Sequence, residues 1–378
     1  KPSDKPVKID LTLGTGIHEV SLKLISTEKT IRFAADVSAA NDSAVLSWST
    51  NPARTLTIND ILEGVSISGA RLSPSGKYAL IQTSEVLPGS GKTQSSFMVF
   101  DMELNKNLFA LRNNALRADW MPQSDRFYYQ VDREGTSDVI VYDMKTGAES
   151  VAVSGLKSPG RIVWSPAEDY FVYSRNEEAE KTGDLKRVFD NEDRIPGTRN
   201  RSYLYLYNPA TKVSQPLTAG SNSSTLHAIS PDGRRILFSV SRQDYSEVPF
   251  SKQTLYELEI STMRLDTIWK DKLYGGSCQY SPDGTQLLVS GGPETFGSLG
   301  VKVSDGRIPN SYDTQLFLFD LKTGKAEPLT RNFDPAAGMA HWAPDGKIYL
   351  TATERDYVNL YRLDPKRRNF TKIDVPVE

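Results

Sequence analysis

The chain has 378 residues, with 45 lysines and arginines against 47 aspartates and glutamates, a formal net charge of -2. Neither a basic excess nor a long apolar stretch is present, which argues against nucleic acid or a membrane as the main partner. Its length exceeds the size at which one core normally stops growing, but a ring of repeated units grows by addition, so one large β domain is allowed.

Residues 1–55 read as an irregular, strand-rich segment, either a divergent repeat or a cap, with strand-like runs at Val20–Leu24 and Thr30–Phe33. The chain starts at Lys1 without an initiator methionine or apolar leader, as expected of a mature or trimmed chain. Thr57 and Asp60 have capping-box spacing and Gly64 is a stop, so a short helix is predicted over Thr57–Gly64.

From residue 56 to 378 one motif recurs: Ser73-Pro74-Ser75-Gly76, Met121-Pro122-Gln123-Ser124, Ser165-Pro166-Ala167-Glu168, Ser230-Pro231-Asp232-Gly233, Ser281-Pro282-Asp283-Gly284 and Ala343-Pro344-Asp345-Gly346. Each is a type I turn: proline presets φ, serine or aspartate bonds back to the backbone, and glycine accepts positive φ. Two residues before each proline stands a large apolar residue: Leu72, Trp120, Trp164, Ile229, Tyr280 and Trp342. Four before stand mostly small ones, Cys278 among them, which makes this single cysteine a packing residue rather than a nucleophile.

Five to seven residues after each proline comes a short apolar run, such as Phe171-Val172-Tyr173, Leu287-Leu288-Val289 or Tyr349-Leu350-Thr351. Runs that do not alternate predict strands buried on both faces. Each unit closes on a second turn, Asp143-Met144-Lys145-Thr146-Gly147 and Asp320-Leu321-Lys322-Thr323-Gly324 being the clearest copies. The fold predicted is all-β, a β-propeller of four-stranded blades with six repeats visible and seven or eight expected in the complete ring. Two units carry extra length, a charged stretch over Arg175–Arg201 and a glycine-rich one over Gly291–Asp313, and these loops are the candidates for contacting something else.

No Gly-x-Ser-x-Gly elbow is present, so the chain supplies no α/β-hydrolase nucleophile. The histidines, His18, His227 and His341, have no zinc-binding spacing, and His227 and His341 fall in regular blade columns where a structural role is expected. No metal and no cofactor is expected. A carboxylate pair for glycoside hydrolysis cannot be picked out from sequence.

The segment Leu56–Gly64, followed by Ala70-Arg71-Leu72-Ser73-Pro74-Ser75-Gly76-Lys77-Tyr78, resembles the opening of the N-terminal propeller in the dipeptidyl peptidase IV and prolyl oligopeptidase family. The resemblance covers about residues 56 to 378. It implies a non-catalytic propeller that gates and orients peptide substrates for a C-terminal α/β-hydrolase domain of the same polypeptide, in a periplasmic or secreted protein. In the dipeptidyl peptidases a Glu-Glu pair from a propeller loop binds the substrate's amino terminus, and Glu177-Glu178 looks similar in type and in following a blade strand. A solvated charged loop is the other reading of that pair. The blade motifs are shared with TolB-like propellers, so a free-standing protein-binding scaffold is the alternative.

Overall fold

A computed structural model describes residues 65–87, 91–111, 115–179, 199–303 and 307–375, together with the isolated positions 58, 62 and 183. The chain divides into two units, Lys1–Ile61 and Leu62–Glu378, and the second is the propeller. The strand-rich segment expected over residues 1–55 lies outside the described residues; of the expected short helix, Ile58 and Leu62 are described and both are helical.

The second unit is a β-propeller of six blades among the described residues, matching the six repeats in the sequence and not the seven or eight expected for the complete ring, and each blade is an antiparallel meander of four consecutive strands. Blade 1 holds β1 (Ser66–Leu72), β2 (Tyr78–Val86), β3 (Thr93–Asp101) and β4 (Lys106–Ala110). Blade 2 holds β5 (Ala115–Trp120), β6 (Arg126–Asp132), β7 (Thr136–Asp143) and β8 (Glu149–Lys157). Blade 3 holds β9 (Pro159–Trp164), β10 (Phe171–Glu177), β11 (Arg201–Asn208) and β12 (Val213–Pro216). Blade 4 holds β13 (Ser224–Ile229), β14 (Arg235–Gln243), β15 (Ser251–Glu259) and β16 (Arg264–Lys272). Blade 5 holds β17 (Cys278–Tyr280), β18 (Gln286–Gly291), β19 (Gln315–Asp320) and β20 (Ala326–Pro328). Blade 6 holds β21 (Ala336–Trp342), β22 (Ile348–Glu354), β23 (Tyr357–Asp364) and β24 (Asn369–Ile373). Among the described residues no blade combines strands from distant parts of the chain.

Every proline turn joins the first and second strands of its blade, and the geometry follows from its residues. In blade 4, Gly233 N–H donates to the Ser230 carbonyl at 2.8 Å. The Ser230 hydroxyl donates to Asp232 and accepts from the Arg235 N–H at 2.9 Å. The closing glycines have positive φ, from 69° at Gly233 and Gly284 to 77° at Gly346. Blade 3 has Glu168 at that place, at φ 61°, a conformation that costs a non-glycine residue about 1–2 kcal/mol. Its carboxylate offsets the strain by reaching into blade 2, where it accepts from the Gln123 and Ser124 N–H groups at 2.8 and 3.0 Å and pairs with Arg126.

The second turn lies between the third and fourth strands, and an Asx side chain builds it. Asp101, Asp143, Asn208 and Asp364 each accept two backbone N–H bonds from the following residues, and Asp320 accepts from the Thr323 N–H at 2.7 Å. Blade 4 turns over Glu259-Ile260-Ser261-Thr262-Met263 with Met263 at φ 56°. Glu259 breaks the Asx signal, which hides that turn in the sequence.

Five buried clusters join successive blades. Trp120 packs against Leu80 and Val99 of blade 1, Trp164 against Val139 and Val141 of blade 2, Tyr280 against Leu237 and Leu255 of blade 4, and Trp342 against Leu288 and Leu318 of blade 5. Ile229 borders the cluster shared with blade 3. The large column residue therefore fills the interface with the preceding blade. Leu72 departs from the expectation and is 60% exposed, because no preceding blade covers it among the described residues.

Polar bonds follow the same seams: Trp120 Nε1 donates to the Arg71 carbonyl at 2.8 Å, Tyr128 Oη to the Ile162 carbonyl at 2.9 Å, and Gln279 bridges the Ala340 carbonyl and the Trp342 N–H, each at 2.9 Å. The apolar runs are buried as expected in blades 2 to 5. In blade 6 the offset slips: Trp342 pairs with Ile348, one residue closer to the proline than Phe171 opposite Trp164, because this turn closes from Ala343 to Lys347.

Candidate functional site

In a meander, alternate connections fall at opposite ends. The proline and Asx turns share one end of each blade; the loops between second and third strands, and the links from blade to blade, share the other. Among the described strands the longest connections leave from this second end: from Glu177 to Arg201 in blade 3, from Gln243 to Ser251 in blade 4 and from Gly291 to Gln315 in blade 5. Function concentrates on such loops when a rigid scaffold holds them.

Glu177 closes β10 on this face. Its carboxylate pairs with Arg175 and accepts from Tyr205 Oη at 2.9 Å, while the Arg175 guanidinium stacks over the Tyr205 ring at 4.3 Å. The hydrogen bond from Arg175, with that from Tyr205, holds the Glu177 carboxyl below the usual carboxylate range. Glu178, next in the chain, is exposed. The two carboxylates are thus dissimilar, one engaged within its own blade and one open to solvent. Of the charged stretch Arg175–Arg201, only residues 175–179, 183 and 199–201 are described.

Between blades 4 and 5 the same face opens into a cavity of about 360 Å³ lined by Ser251, Gln253, Lys272, Tyr274, Gly292 and Asp313, among others. Glycine doublets shape its walls. A Cβ on Gly276 would meet the Ser290 carbonyl oxygen at 2.0 Å, and one on Gly292 would meet the Ser311 carbonyl oxygen at 2.1 Å, so only glycine lets these backbones approach. The glycine-rich stretch begins anchored: buried Thr295 donates its hydroxyl to the Tyr274 carbonyl at 2.8 Å, and Phe296 packs edge-on to Trp269 and Phe317. At the rim, Asp244 is held well below the usual carboxylate range by its bond from Lys252.

Beside the cavity runs a partly buried polar chain. The Cys278 N–H donates to His227 Nδ1 at 3.2 Å, which places the imidazole proton on Nε2, 2.9 Å from Ser239 Oγ. Gln253 Nε2 donates to the same hydroxyl at 3.3 Å. Desolvation pushes His227 down to about 4, so the ring is neutral at pH 7. Cys278 is buried and burial pushes its thiol up, which leaves no thiolate for nucleophilic chemistry. Among the described residues no group of three or more His, Cys, Asp or Glu could hold a metal ion, and no helix is long and apolar enough to cross a membrane.

No protein-family model and no curated protein matches the chain. Solved structures do. The β-propeller domain of the Trilobed protease from Pyrococcus furiosus, described as having an open velcro topology, superposes with a TM-score of 0.55 at 15% identity over 82% of this chain and 84% of that one. The chain shares the β-propeller fold of that domain. Pyrococcus horikoshii acylaminoacyl peptidase aligns with a TM-score of 0.61 at 15% identity over 82% of this chain but 46% of its own, so the chain spans less than half of that enzyme. An oligogalacturonate lyase in complex with manganese aligns with a TM-score of 0.53 at 14% identity over 80% of this chain and 74% of that one, so the fold is not confined to peptidases.

Neither Lys272 nor Gln253 stands in a repeat motif, and sequence reading passed over both. The signal was the doublet Gly275-Gly276 lying ahead of Gly291-Gly292, since paired glycines mark close backbone approach.

Proposed function

We propose that this chain is the non-catalytic propeller of a serine-type peptidase related to dipeptidyl peptidase IV and prolyl oligopeptidase, and that it sorts and orients peptides for a hydrolase domain. The observation that carries this reading is the six-blade array of consecutive strands, matching the Trilobed protease propeller domain over most of both chains. The gathering of the longest connections at one end supports it, since a partner domain and a substrate both need one shared face. Of the suggested amine-binding pair, Glu178 is free to meet a substrate ammonium directly, whereas Glu177 would first have to exchange Arg175 for it.

Two measurements test the reading. Incubated with a fluorogenic dipeptide, the chain gives no turnover; cleavage sensitive to a serine-directed inhibitor would overturn it. Sequencing the reading frame past Glu378 gives an in-frame Gly-x-Ser-x-Gly segment; a stop codon there would favour a free-standing scaffold instead.

A further inference from the structure

Lys272 ends β16 at the cavity between blades 4 and 5, half-buried, with its ammonium 5.4 Å from the centre of the Phe296 ring. Among the described residues it forms no ion pair, unlike nearby Lys252, which is held by Asp244 and Glu247 at 2.8 and 3.0 Å. A second polar atom on the same wall lacks a partner: the Gln253 carbonyl Oε1 is buried and accepts no hydrogen bond. It faces Gly275, where a Cβ would approach it to 2.5 Å, so the glycine backbone closes it off from the cavity and leaves Lys272 as the group a ligand can reach. A half-buried cation without a counter-ion keeps part of its desolvation cost unmet. A ligand carrying a negative charge would satisfy the cation.

One ammonium without an arginine fork suits a single negative charge better than a phosphate dianion. The acid at the cavity, Asp313, is exposed to solvent, which screens its charge, and accepts from Asn310 Nδ2 at 2.5 Å. Above it, Tyr274 and the exposed Tyr312 meet edge to face with centroids 5.5 Å apart, presenting apolar surface to a side chain.

We propose that this cavity receives the C-terminal residue of a short peptide, with its carboxylate at Lys272 and its side chain against Tyr274 and Tyr312. The assignment rests on the peptidase reading above and deepens it: the peptide's tail, not its amino terminus, is held between blades 4 and 5. A volume of about 360 Å³ accommodates a chain end rather than a folded partner.

Calorimetric titration of the whole chain with trialanine, trialanine amide and acetate tests it, with the Lys272→Met variant alongside. Trialanine binds at least tenfold more tightly than its amide, Lys272→Met removes that difference while melting at the wild-type temperature, and acetate binds more weakly than the peptide. Equal binding of acid and amide, or no loss in Lys272→Met, overturns the site. Acetate as tight as trialanine overturns the peptide and leaves a site for any small carboxylate. Because no hydrolase takes part, a stop codon after Glu378 would sink the peptidase reading without altering these isotherms.

Discussion

Leu237 in blade 4 and Tyr349 in blade 6 occupy the same place, one residue beyond the strand position opposite the column residue, yet Leu237 is fully buried and Tyr349 only half-buried. The cause is the neighbour. In blades 2 to 5 the flanking residues of each run pack on the preceding blade and the middle one on the next, as Ile236 and Phe238 join the cluster with blade 3 while Leu237 joins the cluster with blade 5. Blade 6 buries Ile348, Leu350 and Ala352 against blade 5, and its other face has no such cluster among the described residues. Blade 1 mirrors it: Leu80 is buried against blade 2 and Leu72 is exposed. A blade's strands are therefore not intrinsically two-sided; the array makes them so.

The sharpest way to break this comparison is paired truncation. Phe171→Ala, between blades 2 and 3, should cost about 3–5 kcal/mol in urea unfolding, and Tyr349→Ala less than about 1.5 kcal/mol. Equal losses would show that the terminal blade is covered as well as an interior one.

Next in size is the pH response of His227. Its folded pKa of about 4 lies below the unfolded value of 6.5, so the unfolded state binds the proton first. Stability from this site is complete above pH 6.5 and falls as pH drops towards 4, by roughly 2–3 kcal/mol. The His227→Gln variant should lack that component, and an unchanged profile would remove His227 from the interior network.

Glu168→Ala should then cost about 2 kcal/mol, since it strips the acceptor from the Gln123 and Ser124 N–H groups and the partner from Arg126, while the positive-φ strain stays as it is in the wild type. Glu168→Gly, which relieves the backbone but still loses the clamp, should recover part of that loss. Smallest of all, Leu72→Ala should fall within about 0.5 kcal/mol, whereas its counterpart Trp164→Ala should lose about 3–5 kcal/mol.

Much of this was legible because turns write themselves locally. Serine, proline and glycine at Ser230-Pro231-Asp232-Gly233 set their own dihedrals and bonds, so the repeat and its period could be read without tertiary information. Burial could not, because it depends on which blade stands alongside, and Leu72 and Trp164 fill the same column with opposite outcomes. The register slip in blade 6 was hidden too: a turn shortened by one residue keeps its proline and glycine. The cavity was least visible: Gln253 and Lys272 are partners on adjacent strands of blade 4, Gly292 and Asp313 face them from blade 5, and none of the four belongs to a repeat motif.

Since each blade is built from four consecutive strands and no buried cluster joins blade 6 to blade 1 among the described residues, the array has ends in the sense of a zipper. Opening can start at blade 1 or blade 6 and travel inward one sheet at a time, each step exposing a single interface. Amide hydrogens in β1 and β23 should then exchange with deuterium well before those in β10 and β14, grading protection from the middle of the molecule to its margins.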